Sequence, residues 1–150
     1  MKNGKVVIEN FESAVLKNNP LGDPCIRKLP IYLPPGYENA PDRRFPVIYL
    51  LSGFMGFGTM MLSPQAWSYA MDERCDKLIS EGKMSDCIVV MPDCFTRWGG
   101  SQYMNSSAFG NYEDHLTKEI IPFIDQNYRT LAKAEHRAVA GRSSGGYGAL

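Results

Sequence analysis

A serine flanked by glycines lies near the end of the 150-residue chain, in the segment Gly141-Arg142-Ser143-Ser144-Gly145-Gly146. The segment fits G-x-S-x-G and directly follows the apolar run 138–140, which is typical of a nucleophile on a strand-to-helix turn. Side chains beside so sharp a turn would collide with the strand or the helix, so glycines are needed there. An ordinary Gly/Ser-rich turn is the alternative, but the preceding β-type run favours an exposed nucleophile at Ser143.

Acyl transfer to a serine also needs donors for the oxyanion that forms. The peptide N–H of Ser144 would point to that oxyanion, and the dipole of the following helix adds positive potential. A second N–H in such sites comes from the loop after an earlier strand. We expect this donor to be Phe54, in the glycine-rich loop 52–60. The alternative is that the glycines of this loop only form a flexible turn.

A serine nucleophile requires a general base, and the sequence offers none after it. In α/β-hydrolases the partners follow in the order Ser, Asp or Glu, His, but no such residue follows Ser143. We expect His115, Asp114 and Glu119 to lie on a solvated helix face, and His136 to lie at the entry of the strand before the elbow. The sequence therefore predicts a nucleophile without its base, in a chain cut short after the elbow.

Alternating strands and helices must position this serine. Apolar runs at 47–51, 87–91 and 137–140 predict three strands, the first of them covered on both faces. Segments 64–80 and 111–127 between them have helical periodicity. This series predicts a parallel sheet with helices against it. The residues expected to face inward are Ala66, Trp67, Ala70, Met71, Leu78 and Ile79 in the first helix and Leu116, Ile120, Phe123 and Ile124 in the second, where Pro122 predicts a kink.

The first 33 residues predict antiparallel strands at one edge of that sheet. Residues 6–8 and 14–16 are β-rich and predict two short strands, and a turn cluster follows at 18–24. Residues 26–33 predict an extended strand of the edge type, because proline lies inside it and directly after it.

Three loops are predicted to meet at one crevice, because ligands bind beyond the carboxyl ends of strands in open α/β sheets. They are loop 52–60, the aromatic-rich loop 93–110 and the elbow. The length of loop 93–110 suggests a functional segment. Trp98 and Tyr103 in it either line an acyl or aryl pocket or serve only in packing.

Composition excludes several classes of function. Sixteen basic and sixteen acidic residues give zero net charge, which argues against nucleic-acid binding or an anionic membrane surface. Apolar runs are too short to span a bilayer, and no apolar stretch of a secretory signal follows the basic residues 1–5. The four cysteines lack C-x-x-C or zinc-finger spacing, so we expect no metal, reduced buried thiols and a cytoplasmic location.

Several motifs in a fixed order resemble the Putative esterase family of α/β-hydrolases, which includes esterase D (S-formylglutathione hydrolase), feruloyl and acetylxylan esterases, enterochelin esterase-like proteins and the antigen 85 mycolyltransferases. The resemblance runs from about residue 26 to the end. It departs from many members at Ser52-Gly53, where they have His-Gly, although the esterase D branch is similar to Ser-Gly there. It also departs at Ser144, where Met is common. The motifs are Tyr32-Leu33-Pro34-Pro35-Gly36-Tyr37, the segment 45–53, Met91-Pro92-Asp93, Glu119-Ile120-Ile121-Pro122-Phe123-Ile124-Asp125 and the elbow.

The resemblance implies an α/β-hydrolase fold: a mostly parallel sheet with antiparallel edge strands and helices on both faces, of which residues 1–150 form the N-terminal portion of one domain. It implies Ser143 as nucleophile, Phe54 and Ser144 as oxyanion donors, a small-molecule ester or thioester as substrate, and no cofactor. The acid and histidine would lie in a missing C-terminal half. The alternatives are an acyltransferase of the same fold and a non-catalytic binding module or inactive fragment.

Overall fold

A five-stranded mixed sheet forms the centre of the computed structural model, which describes residues 4–64 and 66–150. Its strands run in the order β1-β2-β4-β3-β7, and the remaining two form a small separate ribbon. Strands β4, β3 and β7 are parallel, and β2 is antiparallel to both β1 and β4. The bounds are Lys5–Glu12 (β1), Ile26–Leu33 (β2), Val47–Leu51 (β3), Ile88–Val90 (β4), Asn105–Ser106 (β5), Gly110–Asn111 (β6) and Arg137–Gly141 (β7).

Helices cover both faces of the sheet. Helix α1 (Met71–Ser80) packs on one face, where Cys75 joins a cluster with β4 residues. A long helical segment, 112–127, packs on the other face with Leu116, Ile120 and Ile124 buried. It comprises α2 (Tyr112–Asp114), a π-helical turn (His115–Ile120) and α3 (Ile121–Asn127); α4 (Ser144–Tyr147) follows β7, and 3₁₀ turns occur at Gly58–Leu62 and Ala134–His136. The predicted α/β-hydrolase arrangement is confirmed, with β7 at the edge of the sheet.

The predicted strand at 14–16 is wrong, because this segment forms a turn. The carboxylate of Glu119 accepts hydrogen bonds from the peptide N–H groups of Ala14 (2.8 Å) and Val15 (3.0 Å). Asn18 then adopts a left-handed conformation, with φ of 56°. A side chain more than a hundred residues away therefore satisfies the donors that a strand would have used.

Strand β2 is not an edge strand, although it contains a proline. Pro30 lies beside Met91, one residue past the end of β4, and its carbonyl accepts the Met91 N–H at 3.0 Å. The missing N–H of Pro30 therefore falls where β4 has already ended, so no bond within β4 is lost. The edge beyond β2 is occupied by β1.

Helix α1 begins later than the periodicity predicts, at Met71 rather than Pro64. The peptide N–H of Ala70 is capped by the carboxylate of Glu73 at 3.0 Å, which fixes the start of the helix. Before it, Trp67 has φ of 61° and is fully exposed, so its predicted inward position is wrong. The second helix matches its prediction closely in its bounds and its buried face. Its irregular part is a π-helical turn that ends at Ile120, two residues before Pro122.

No helix in the described part of the chain is long and apolar enough to cross a bilayer.

Candidate active site

The turn after β7 holds Ser143 in a strained and exposed position. Its φ of 55° and ψ of −118° lie outside the regions that non-glycine residues favour, at a cost of roughly 1–3 kcal/mol. Helix α4 begins at the next residue, Ser144, which is buried. The chain therefore turns sharply from strand to helix at the serine, as the G-x-S-x-G pattern predicts.

Two glycines allow this turn, because backbone segments there contact each other directly and leave no room for a side chain. A Cβ built on Gly145 would lie 2.7 Å from the carbonyl carbon of Leu51 and closer still to its oxygen. A Cβ on Gly141 would lie 2.5 Å from the carbonyl oxygen of Gly145. Any side chain at either position would therefore push α4 away from β3 or β7.

Ser143 opens into a shallow pocket of about 430 Å³, called here the Ser143 pocket. The predicted oxyanion residues Phe54 and Ser144 both line it, so the structure brings the three predicted site residues together. The other lining residues, which the sequence argument did not identify, are Gln102, Met104 and Tyr147. Two of these belong to the aromatic-rich loop, whose unusual length was the one signal of its role.

The loop after β3 leaves the Phe54 N–H available. Its neighbours are engaged: Met55 N–H donates to Gly99 O at 2.8 Å, and Gly56 N–H donates to Gly53 O at 3.0 Å. Over residues 4–64 and 66–150, the peptide N–H groups of Phe54 and Ser144 donate to no protein acceptor. Two residues that line the pocket into which the serine opens thus carry free peptide N–H groups.

His115 is fully buried, so its predicted place on a solvated helix face is wrong. Its Nδ1 lies 3.3 Å from the carboxylate of Glu119, and its ring lies 5.7 Å from that of Phe11. Its Nε2 has no hydrogen-bond partner in the described part of the structure. Glu119 is only half-buried, but its carboxylate holds the loop that starts at Ser13. His115 and Glu119 therefore have a structural role, because they connect the helical segment 112–127 to the loop after β1.

Two other polar residues lie near their predicted places. Asp114 bonds to Asn105 and Lys118 near the surface. His136 ends the 3₁₀ turn before β7, at the opposite end of that strand from Ser143. Neither histidine of the chain can therefore reach the Ser143 hydroxyl in this structure.

Acidification is expected to destabilise the fold through His115. Burial lowers the pKa of His115 below its ordinary value, although the carboxylate of Glu119 acts to raise it. In the unfolded chain the His115 side chain binds a proton near pH 6.5, whereas in the folded chain it binds one only at lower pH. The free energy of unfolding therefore falls as the pH drops below about 6.5. Urea midpoints at pH 7.5 and 5.5 should therefore differ more in the wild type than in His115→Gln. An equal difference in both proteins would contradict this.

Three thiols are expected to resist modification in the native protein. All four cysteines are free, and three are buried. Burial raises the pKa of Cys75 to about 12 and that of Cys87 to about 11, and it raises the pKa of Cys94 further. Since the thiolate is the reactive form, a thiol-specific chromogenic reagent should titrate the half-buried Cys25 first and the other three only after unfolding. The prediction would be contradicted if all four thiols reacted rapidly in the native protein, or if fewer than four reacted after unfolding.

The sequence has relatives among known esterases. The family profile described as Putative esterase matches residues 24–150. An endo-1,4-beta-xylanase/feruloyl esterase of Xylanibacter ruminicola is 34% identical over 119 residues, covering 77% of this chain and 16% of the relative. An esterase of Mycobacterium tuberculosis is 34% identical over 121 residues, covering 80% of this chain and 24% of the relative.

Solved structures share the fold. A ferulic acid esterase superposes with a TM-score of 0.78 at 27% identity, over 99% of this chain and 52% of its own. An S-formylglutathione hydrolase from Agrobacterium tumefaciens superposes with a TM-score of 0.69 at 21% identity, over 99% of this chain and 52% of its own. This chain thus spans about half the length of these structures and less of the curated relatives. With its profile match covering most of the sequence, the chain belongs to the Putative esterase family.

Proposed function

We propose that the protein carrying this chain is a serine carboxylic-ester or thioester hydrolase with Ser143 as its nucleophile. The observation that carries the proposal is the strained, exposed Ser143 opening into one pocket with two free peptide N–H groups. Membership of an esterase family supports the reaction class. The relatives that are feruloyl or ferulic acid esterases support a small-molecule ester as substrate.

The chemistry proceeds through an acyl-enzyme. Ser143 Oγ attacks the carbonyl carbon while its proton passes to a base, and the N–H groups of Phe54 and Ser144 bind the oxyanion. The bond to the leaving oxygen or sulfur then breaks, and the leaving group departs with the proton. Water attacks the acyl-enzyme by the reverse proton transfers and releases the carboxylic acid. The reaction needs no cofactor.

We place the general base and its acid outside residues 1–150. The two histidines of the chain lie away from Ser143, and the chain spans about half of its structural relatives. We also propose a reducing compartment, the cytoplasm, which the four free cysteines support. No nucleic acid or membrane partner enters the proposal, because the net charge is zero.

The test is covalent labelling of an active preparation with a fluorophosphonate probe, followed by peptide mapping. We expect the label on Ser143 alone, since only this serine is exposed beside two free oxyanion donors. Ser144→Ala is the matched control, because it keeps the peptide N–H that the proposal uses. Label on Ser63, Ser101 or Ser144, or undiminished labelling of Ser143→Ala, would refute the assignment.

A further inference from the structure

The segment 99–103 is bonded to the loop after β3 at two points, Ser52 and Met55. At one of them, the N–H of Met55 donates to Gly99 O at 2.8 Å. At the other, the hydroxyl of Tyr103 donates to Ser52 O at 2.7 Å and lies 3.0 Å from Ser52 Oγ. Because the single phenolic proton goes to the carbonyl, the Ser52 hydroxyl donates in return. The proposed oxyanion donor Phe54 lies between these two attachments.

The ring of Tyr103 also packs against the end of the elbow helix. A Cβ built on Gly148 would lie 2.6 Å from Cδ2 and 2.7 Å from Cβ of Tyr103. Gly53 is close to the elbow on the other side, since a Cβ there would lie 3.9 Å from Ser143 Cβ. One buried side chain therefore contacts both the start of the oxyanion loop and the helix that follows the nucleophile.

The backbone around Tyr103 is strained to achieve this contact. Gln102 and Tyr103 both have positive φ, at 53° and 58°, and consecutive left-handed residues other than glycine or Asn are costly. The hydroxyl of Ser101 accepts the Tyr103 N–H at 3.2 Å. Burial raises the pKa of Tyr103 to about 12, so its hydroxyl stays a donor at neutral pH.

We propose that Tyr103 is a positioning residue that fixes the distance between the Phe54 N–H and Ser143, through its hydrogen bond to Ser52 and its packing on Gly148. This inference rests on the proposed function, in which Phe54 binds the oxyanion. Tyr103 itself need not touch the substrate, so its loss acts on the oxyanion of the transition state more than on substrate binding.

Tyr103→Phe, made in the active protein, tests this directly. We expect kcat to fall by up to about 100-fold, the loss that a displacement of about 1 Å can cause, with KM nearly unchanged. Tyr32→Phe is the matched control, because it deletes another buried hydroxyl, bonded to Asp76 at 2.6 Å in the other core cluster. That control should keep kcat at the wild-type value with a comparable loss of Tm.

A second readout does not depend on activity. The Met55 amide should exchange its hydrogen faster in Tyr103→Phe than in wild type or Tyr32→Phe. The variant loses the hydrogen bond to Ser52, so the rest of the loop, including the Met55–Gly99 bond, opens more often. An inactive wild type with no label on Ser143 would defeat the proposed function, whereas the exchange result would still decide whether Tyr103 holds the loop. An active wild type together with a Tyr103→Phe variant of unchanged kcat and unchanged Met55 exchange would overturn the inference alone.

Discussion

Residues 1–150 are expected to hydrolyse p-nitrophenyl acetate no faster than the same chain carrying Ser143→Ala. A serine hydroxyl needs a base, and His115 is buried with its Nδ1 bonded to Glu119. His136 lies before β7, whose five residues span about 17 Å at roughly 3.3 Å each. In a comparable triad enzyme, loss of the histidine lowers turnover by about 10⁶-fold.

The measurement compares initial rates of the two purified chains after circular dichroism has shown that both are folded alike. His115→Gln and His136→Gln serve as further controls, since neither should change the rate of the wild-type chain. A turnover of about 1–10³ per second, typical of enzymes, that disappears in Ser143→Ala would show that a base within these residues, or in a second copy, reaches the serine.

Gly145→Ala is expected to disable the site in a protein that otherwise turns over ester. The new methyl carbon would lie within 2.7 Å of main-chain atoms of both Leu51 and Ser52. Main chain in the centre of a sheet cannot move aside as a flexible side chain can, so α4 must shift. A displacement of about 1 Å lowers turnover by about 10²-fold, and such overpacking lowers stability by about 1–3 kcal/mol or more.

Gly146→Ala is the neighbouring control. A Cβ on Gly146 would have its nearest neighbour, Gly141 O, at 3.5 Å, which is ordinary van der Waals contact. Alanine is also the better helix former by roughly 0.5–1 kcal/mol. Fluorophosphonate labelling rates and Tm values of the two variants should therefore diverge, with Gly146→Ala close to wild type. Similar losses in both variants would show that the contact with β3 does not set the position of the serine.

The sequence pattern predicted the elements that depend on local composition. Continuous apolar runs predict buried strands, and the run 47–51 appears at its predicted bounds, whereas the strand of the third run, β7, is exposed at the edge of the sheet. The glycines around Ser143 have a specific steric purpose, so their spacing identified the elbow. The approach of the Phe54 loop to Ser143 followed from topology, because loops at the carboxyl ends of parallel strands meet, whereas Gln102, Met104 and Tyr147 were not identified.

Features set by contacts distant in sequence could not be predicted in this way. His115 was expected at the surface because it is a polar residue on a helix, and nothing local indicates that Glu119 will bond to Ser13 across more than a hundred residues. Tyr103 was left open between lining and packing, since no propensity predicts two consecutive left-handed residues. The inward position predicted for Trp67 was wrong because the helical periodicity of the sequence begins before Ala70, where Glu73 caps the start of the helix.

Main-chain atoms of Gly145 and Leu51 meet directly where the elbow packs against β3, and main-chain atoms do not change when side chains mutate. Substitutions at residues 138–140, which are exposed in this structure, are therefore expected to leave the height of Ser143 above the sheet unaltered. The side chains at 138–140, and whatever packs on them, can therefore differ while the two glycines of the turn are retained. The geometry at Ser143 is thus compatible with many different surroundings, which under the proposed function would mean different substrates.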